Sequence, residues 1–303
     1  MTRSRTSLRN ALARRHRLTL TGYAFVLPAF VLLGYFVYYP AYVAFAGSFT
    51  NWDGFNPAQW VGLDNFRQLF GDPTFSTAAW NNLLWALGKV ALALVPPFVV
   101  AELIFHVRAS RWQFVYRSLF VIPLVIPTIV TMLVWTFYYR SDGVINQVLG
   151  AVGLDALQHS WLGDSDTALY ALILMGFPWI APFNLLVFYS GLQRTPKEIL
   201  EAAALDGCGT WRRIRSIDLP MMMRQTRLLT TLAVINSVQA ILEPLLMTGG
   251  GPGNSTMTPI YYLYRTGVND GRFGYSMAVS LVLFAVVLVL SAVSNRVLRP
   301  QSD

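Results

Sequence analysis

Residues 201–220, EAAALDGCGTWRRIRSIDLP, form a polar, arginine-studded segment between two long apolar runs, and the reading of the chain turns on it. Just ahead of it, Thr195, Pro196 and Glu198 are spaced as N-cap, first helical residue and third-position acid of a capping box, which predicts a helix start. Ala202, Ala203 and Ala204 continue that helix with high propensity and no bulk. Gly207, after Asp206, is free to take the left-handed conformation that ends a helix. Thr210 is then placed to cap a second short helix carrying Arg212, Arg213 and Arg215, and Pro220 to open the next apolar helix. The expected product is helix, glycine turn, helix, with an alanine face small enough for another protein to approach closely.

Composition sets the surroundings. Of 303 residues, 54% are hydrophobic and 13% charged, which fits a membrane protein rather than a soluble domain. The net charge of +8 does not indicate nucleic acid, because the basic residues lie in short segments between apolar runs. A single cysteine, Cys208, excludes an intrachain disulfide. Six apolar runs, at about 22–45, 77–105, 114–139, 168–192, 221–248 and 275–298, each reach the ~20 residues needed to cross a bilayer. The first run follows an acid-free basic tail, 1–21, but is too long for a signal-peptide core and lacks a clean cleavage site. Of the 23 lysines and arginines, all but Arg67, Lys89, Arg140, Arg265 and Arg272 fall on one side of these runs. By the positive-inside rule both termini and the segment 195–220 are expected in the cytoplasm. The outer segments are expected to be short connectors, and 299–303 a cytoplasmic end.

The segment also carries a resemblance. Glu201, Ala202 and Ala203, then Gly207, Ile217 and Leu219-Pro220 stand at the spacing of the EAA loop of bacterial binding-protein-dependent ABC importer permeases. WVGLDNFRQLF at 60–70 resembles the first outer loop of the sugar permeases in that group, Gly191-Leu192-Gln193 their approach to the loop, and TGGGPGNST at 248–256 their Gly-Gly-Pro signature. Phe273-Gly274-Tyr275 with Met277-Ala278 looks like the start of their last helix. These motifs run from about residue 22 to the end of the chain and resemble the maltose and glycerol-phosphate type, the carbohydrate uptake subfamily. Cys208 departs from the alanine that many members have there.

The resemblance implies an all-α membrane protein with the type I ABC importer permease fold, six transmembrane helices and cytoplasmic termini, in a bacterial plasma (inner) membrane. It implies the permease subunit of an ATP-driven importer for an oligosaccharide or related sugar, not itself an enzyme. It also implies a second permease as heterodimer partner, two copies of a cytoplasmic ATPase that bind ATP and Mg, and an extracytoplasmic solute-binding protein. Glu201 would meet a basic residue on the ATPase, Ala202 and Ala203 would pack closely, and Asp206-Gly207 would form the turn.

The residues themselves agree with the lack of an enzyme site. TGGGPGNST has no Lys-Ser or Lys-Thr to complete a phosphate loop, so it reads as a turn. His16, His106 and His159 are scattered over different loops and predict neither a metal site nor a proton relay. For a solute path, the spans flanking the polar segment supply aromatic and neutral polar groups: Trp179, Phe183 and Asn184 before it, Asn236, Ser237 and Gln239 after it. Each of these could equally join or pack helices. Two charges inside spans need separate weighing: Glu243, a candidate solute contact, and Lys89, expected to snorkel to the outer surface. With Lys89 the one basic residue near the path, a neutral sugar is expected over glycerol 3-phosphate or a glycerophosphodiester. A secondary transporter would need inverted repeats and buried ion-coupling residues, which the sequence lacks.

Overall fold

The computed structural model describes residues 23–178 and 180–297. Among these residues the chain is helical, and the pairing of extended backbone is confined to an isolated antiparallel bridge between Thr50 and Trp60. Helix α1, Tyr23–Gly47, is apolar along its length, and none of its most apolar stretch is buried within the chain. Phe25, for example, is 81% exposed. An uncovered apolar helix of this kind has lipid or another apolar surface as its natural surroundings.

After α1, the chain folds back as α2, Asp64–Phe70, and leads into α3, Pro73–Phe105. This connector is largely exposed over 55–60 but tied down at one point: the buried Asn65 amide donates to the carbonyls of Ser48 and Thr50, 2.8 Å each. Helix α3 has 33 residues, about 50 Å at 1.5 Å per residue, so it outreaches the ~30 Å hydrocarbon layer. It is the spine of the bundle. Its amino-terminal end, at Phe75, shares a core with Leu69, Tyr262, Tyr275 and Val279. Its middle, at Trp85, packs with Leu169, Leu172, Ile173 and Ala240. Its carboxy-terminal end, at Ala101 and Ile104, packs with Leu185, Phe188, Leu192 and Leu229.

The remaining elements are α4, Ser110–Val121, α5, Thr128–Tyr138, α6, Val144–Ala151, and α7, Ala168–Leu174. Then come α8, Pro182–Leu192, and α9, Lys197–Leu205, followed by a bent helix α10 over 210–221. The chain closes with α11, Met223–Val238, α12, Pro259–Tyr264, and α13, Phe273–Val297. Helix α3 packs most extensively along α8 and α11, while α13 lies against α11 and α1.

Among the described residues three helices, α1, α3 and α13, are long and apolar enough to cross a membrane alone. A fourth crossing results if 110–125 and α5, bent by 93° between them, act together. Two of the six expected runs fall short of such a helix for identifiable reasons. The run at 168–192 leaves the helix at 175–178 and resumes it only at Pro182, and the run at 221–248 breaks at Gln239–Ile241 after the 16-residue α11.

The glycine-rich stretch is a turn, as its lack of a phosphate-loop lysine predicts. Gly249, Gly250, Gly253 and Asn254 all have positive φ. The turn is closed by a Thr248–Thr256 hydroxyl pair at 2.7 Å, and Asn81 of α3 donates to Asn254 and Met257 carbonyls at 2.9 and 3.1 Å.

Asp72 caps α3, accepting from Thr74 N at 2.7 Å and Phe75 N at 3.3 Å, while the Tyr262 and Tyr275 hydroxyls donate to its other oxygen. Burial alone would raise its pKa, but the Tyr262 hydroxyl and the two N–H groups outweigh it and hold the carboxyl below its ordinary 3.8. A lowered carboxylate pKa gives stability that is complete above the ordinary value and is lost as pH falls through the lowered one. Asp72→Ala is therefore expected to cost about 1–2 kcal/mol at neutral pH, read as a lower thermal midpoint in detergent, with the deficit shrinking in acid.

Candidate functional site

Two places carry the chemistry: the segment 195–221 and a cavity among the broken helices. In the segment, α9 begins one residue later than the capping pattern predicts. Pro196 is itself the N-cap, with φ −57° and ψ 135°, and no side chain caps the helix. Thr195 is consequently displaced outside the helix, where its hydroxyl is buried without a hydrogen-bond partner. Likewise Gly209, not Thr210, caps α10. In both cases the preceding residue takes the extended conformation, so the threonine cannot reach the free N–H groups.

The glycine turn forms as expected. Gly207 has φ +66°, its N–H donates to Ala204 O at 3.1 Å, and Cys208 N–H donates to Ala203 O at 2.9 Å. That is a Schellman closure, which satisfies two of the helix's last carbonyls. Ala203 is buried, whereas Glu201, Ala202, Asp206 and Gly207 are exposed. Two large apolar side chains of the segment are also uncovered, Leu205 at 89% exposure and Trp211 at 77%. Helix α9 stands off the bundle, so these exposed groups are presented outward.

The cavity has a volume of about 500 Å³, within the ~300–1,000 Å³ usual for small-molecule sites. It gathers Phe183, Asn184, Asn236, Ser237, Gln239 and Glu243, residues drawn from both flanking runs. Trp179 lies outside the described residues. The backbone breaks converge on it: Thr128 opens α5, Ala181 caps α8, and Gln239 ends α11, and all three line the space. Non-helical backbone at membrane depth is tolerated where it lines a cavity, which accounts for the interrupted runs. The amino-terminal ends of α5 and α8 bring partial positive charge to the wall.

The candidates differ in what they have left to offer. The Asn184 amide donates to Ala93 O at 2.7 Å, joining α8 to α3. The Ser237 hydroxyl donates to Ala233 O at 2.7 Å, and its carbonyl accepts from Asn82 at 2.9 Å. Asn184 is therefore spent on joining helices, and the Ser237 hydroxyl on its own helix. Asn236 and Gln239 are exposed to the cavity, and their side chains make no hydrogen bond to another described residue.

Lys89 corrects the sequence expectation. It does not snorkel to the surface but lines the cavity, with its ammonium 5.0 Å from the centre of the Trp85 ring. Glu243 shares the wall and exerts an electrostatic pull on it without a direct ion pair. Sequence periodicity could not tell which way Lys89 faces. Thr128 and Met132, from the third run, were also missed, although the Pro127 break was the available sign.

Residues 100–301 match the family described as binding-protein-dependent transport system inner membrane component. The chain belongs to this family. It is 31% identical over 271 residues to the probable ABC transporter permease protein YurN of Bacillus subtilis (strain 168), covering 89% of this chain and 92% of the relative. It is 32% identical over 278 residues to the sulfoquinovosyl glycerol transport system permease protein SmoG of Agrobacterium fabrum (strain C58), covering 90% and 88%. In fold it is similar to a chain of the bacterial alginate ABC transporter crystallised in complex with an alginate pentasaccharide-bound periplasmic protein. That match has a TM-score of 0.82 at 21% identity and covers 94% of this chain and 96% of the other. As a permease-family chain it is a transport subunit.

Proposed function

We propose that this chain forms half of the membrane pathway of an ATP-driven importer that passes an oligosaccharide or related sugar, delivered by an extracytoplasmic binding protein. The observation that carries this reading is the cavity at the helix breaks, where Asn236 and Gln239 offer free hydrogen-bonding groups beside the aromatic Phe183. Such a set suits hydroxyl-rich solutes. Helix α11 runs from that wall back to α10, so motion of the segment 195–221 has a short route to the solute.

In this reading the chain crosses the bacterial inner membrane six times, with both termini and the segment 195–221 in the cytoplasm. A second permease completes the pathway, and of two ATPase copies, which bind ATP and Mg, one docks on the exposed face of α9. Glu201 supplies the charge at that contact, and the Gly207 turn sets the angle. The small Ala202 allows close approach, and the buried Ala203 secures α9 to its own chain.

One observation favours a second solute class. Lys89 and the amino-terminal ends of α5 and α8 place positive groups on the wall, against one acid, Glu243, among the lining residues, which fits glycerol 3-phosphate or a glycerophosphodiester. Reconstitution of the complete complex with its binding protein in proteoliposomes distinguishes the two. Neutral oligosaccharides are expected to stimulate ATP hydrolysis, and stimulation confined to phosphorylated solutes would replace the sugar by the second class. Solute uptake without any ATP requirement would end both.

A further inference from the structure

At the carboxy-terminal end of α3, below the cavity, lies a buried group of charges that the sequence reading passed over. Asp218 is fully buried and Glu102 is 4% exposed. Arg213 Nε donates to Asp218 Oδ2 at 2.9 Å, and its guanidinium lies 5.6 Å from the Phe105 ring of α3. Glu102, also on α3, is within electrostatic reach of both Arg213 and Asp218. Two further titratable groups are near: His106, its Nδ1 3.7 Å from Glu102 Oε2 but 2.8 Å from the Glu102 carbonyl oxygen, and Arg215, which lines the same groove as Glu102 but makes no ion pair with it within 4 Å.

The hydrogen bonding in this group is incomplete in a telling way. Both Glu102 oxygens, Asp218 Oδ1 and Arg213 Nη2 are buried without hydrogen-bond partners. Native structures rarely leave buried polar atoms unmatched, and here the unspent donor and unspent acceptors lie in one cluster. Two carboxylates thus compete for one guanidinium. Arg213 and Asp218 also span a π-helical turn, Ile214–Asp218, the kind of irregular turn frequent at functional sites.

We propose that Arg213 exchanges carboxylates during transport: it holds Asp218 in the state seen here and takes Glu102 in the other state. Glu102 is then a positioning residue, acting through Arg213 to fasten α10 to α3 in one state only. When Arg213 leaves Asp218 the brace across the π-turn opens, and α10 shifts against α3 with the ATPase-docking face attached. A pair of arrangements that differ in which acid holds the arginine supplies the discrete two-state element that coupling between distant sites requires.

The inference rests on the docking role proposed for the segment, and the test separates the two. In the reconstituted complex, Glu102→Gln removes the second acceptor charge without changing volume. It is expected to assemble normally, keep basal ATP hydrolysis and lose solute stimulation by about tenfold or more, within the usual range of coupling energies. Asp218→Asn, which frees Arg213, is expected to shift the balance the opposite way and raise hydrolysis in the absence of solute. Arg213→Lys, a single point charge without the fork, is expected to reproduce the Glu102→Gln loss. Wild-type stimulation in Glu102→Gln or Arg213→Lys overturns the exchange. So does a shift of Glu102→Gln and Asp218→Asn in the same direction, or a loss confined to the amount of assembled complex. If instead the wild-type complex shows no solute stimulation, the docking role itself fails.

Discussion

Gly207→Pro in the complete importer is expected to abolish solute-stimulated ATP hydrolysis while the chain still inserts in the membrane. Proline holds φ near −65° and cannot reach the +66° of Gly207, and it lacks the N–H that donates to Ala204 O. Both halves of the Schellman closure are lost, at a cost of about 3 kcal/mol or more. Because α9 stands off the bundle, that cost falls on the direction of the docking helix rather than on the core. Gly207→Ala serves as the graded control. A Cβ there meets open space, so only the left-handed backbone is strained, by about 1–2 kcal/mol, and partial stimulation should survive. Charge reversal by Glu201→Lys is expected to give the same phenotype from the exposed face. Stimulation at the wild-type level in Gly207→Pro would remove the turn from the coupling route.

The second large effect is expected in the cavity. Asn236→Leu combined with Gln239→Leu replaces the two free hydrogen-bonding groups by apolar ones of similar size. Uptake should fall by about tenfold or more, since each unmatched solute hydroxyl costs about 1–3 kcal/mol on burial. Assembly and basal ATP hydrolysis should be retained, because neither residue holds another helix. Asn184→Leu provides the contrast: its amide bridges α8 to α3, so it is expected to reduce the amount of folded complex as well as uptake. Unchanged uptake in the double variant would move the solute path elsewhere.

These contrasts mark where sequence reasoning reached and where it stopped. The glycine turn was legible because a left-handed closure is a local event that depends on Gly207 and its two neighbours. The caps at Thr195 and Thr210 were misplaced by one residue each, since a cap depends on the ψ of the residue beside it, and Pro196 and Gly209 took the extended conformation. Polar residues in the apolar runs pointed to the cavity, because a polar group there needs a wet or polar neighbour. Their separate duties did not follow, as nothing in the sequence tells that Asn184 reaches Ala93 while Asn236 reaches the cavity. Lys89 faces inward through the packing of Trp85, a matter of three-dimensional rotation about α3. The Glu102 group was invisible for a related reason: it joins residues more than a hundred positions apart, through a π-turn that shifts the helical register.

The placement of Cys208 has a practical consequence. It is the one cysteine of the chain, it sits directly after the pivot glycine, and its thiol is part-exposed. A spin label or fluorophore attached there would ride on the turn itself, with no need to strip competing thiols from this subunit. The protein thus carries its own reporter position, and the swing proposed for α9 is expected to register there in real time during turnover.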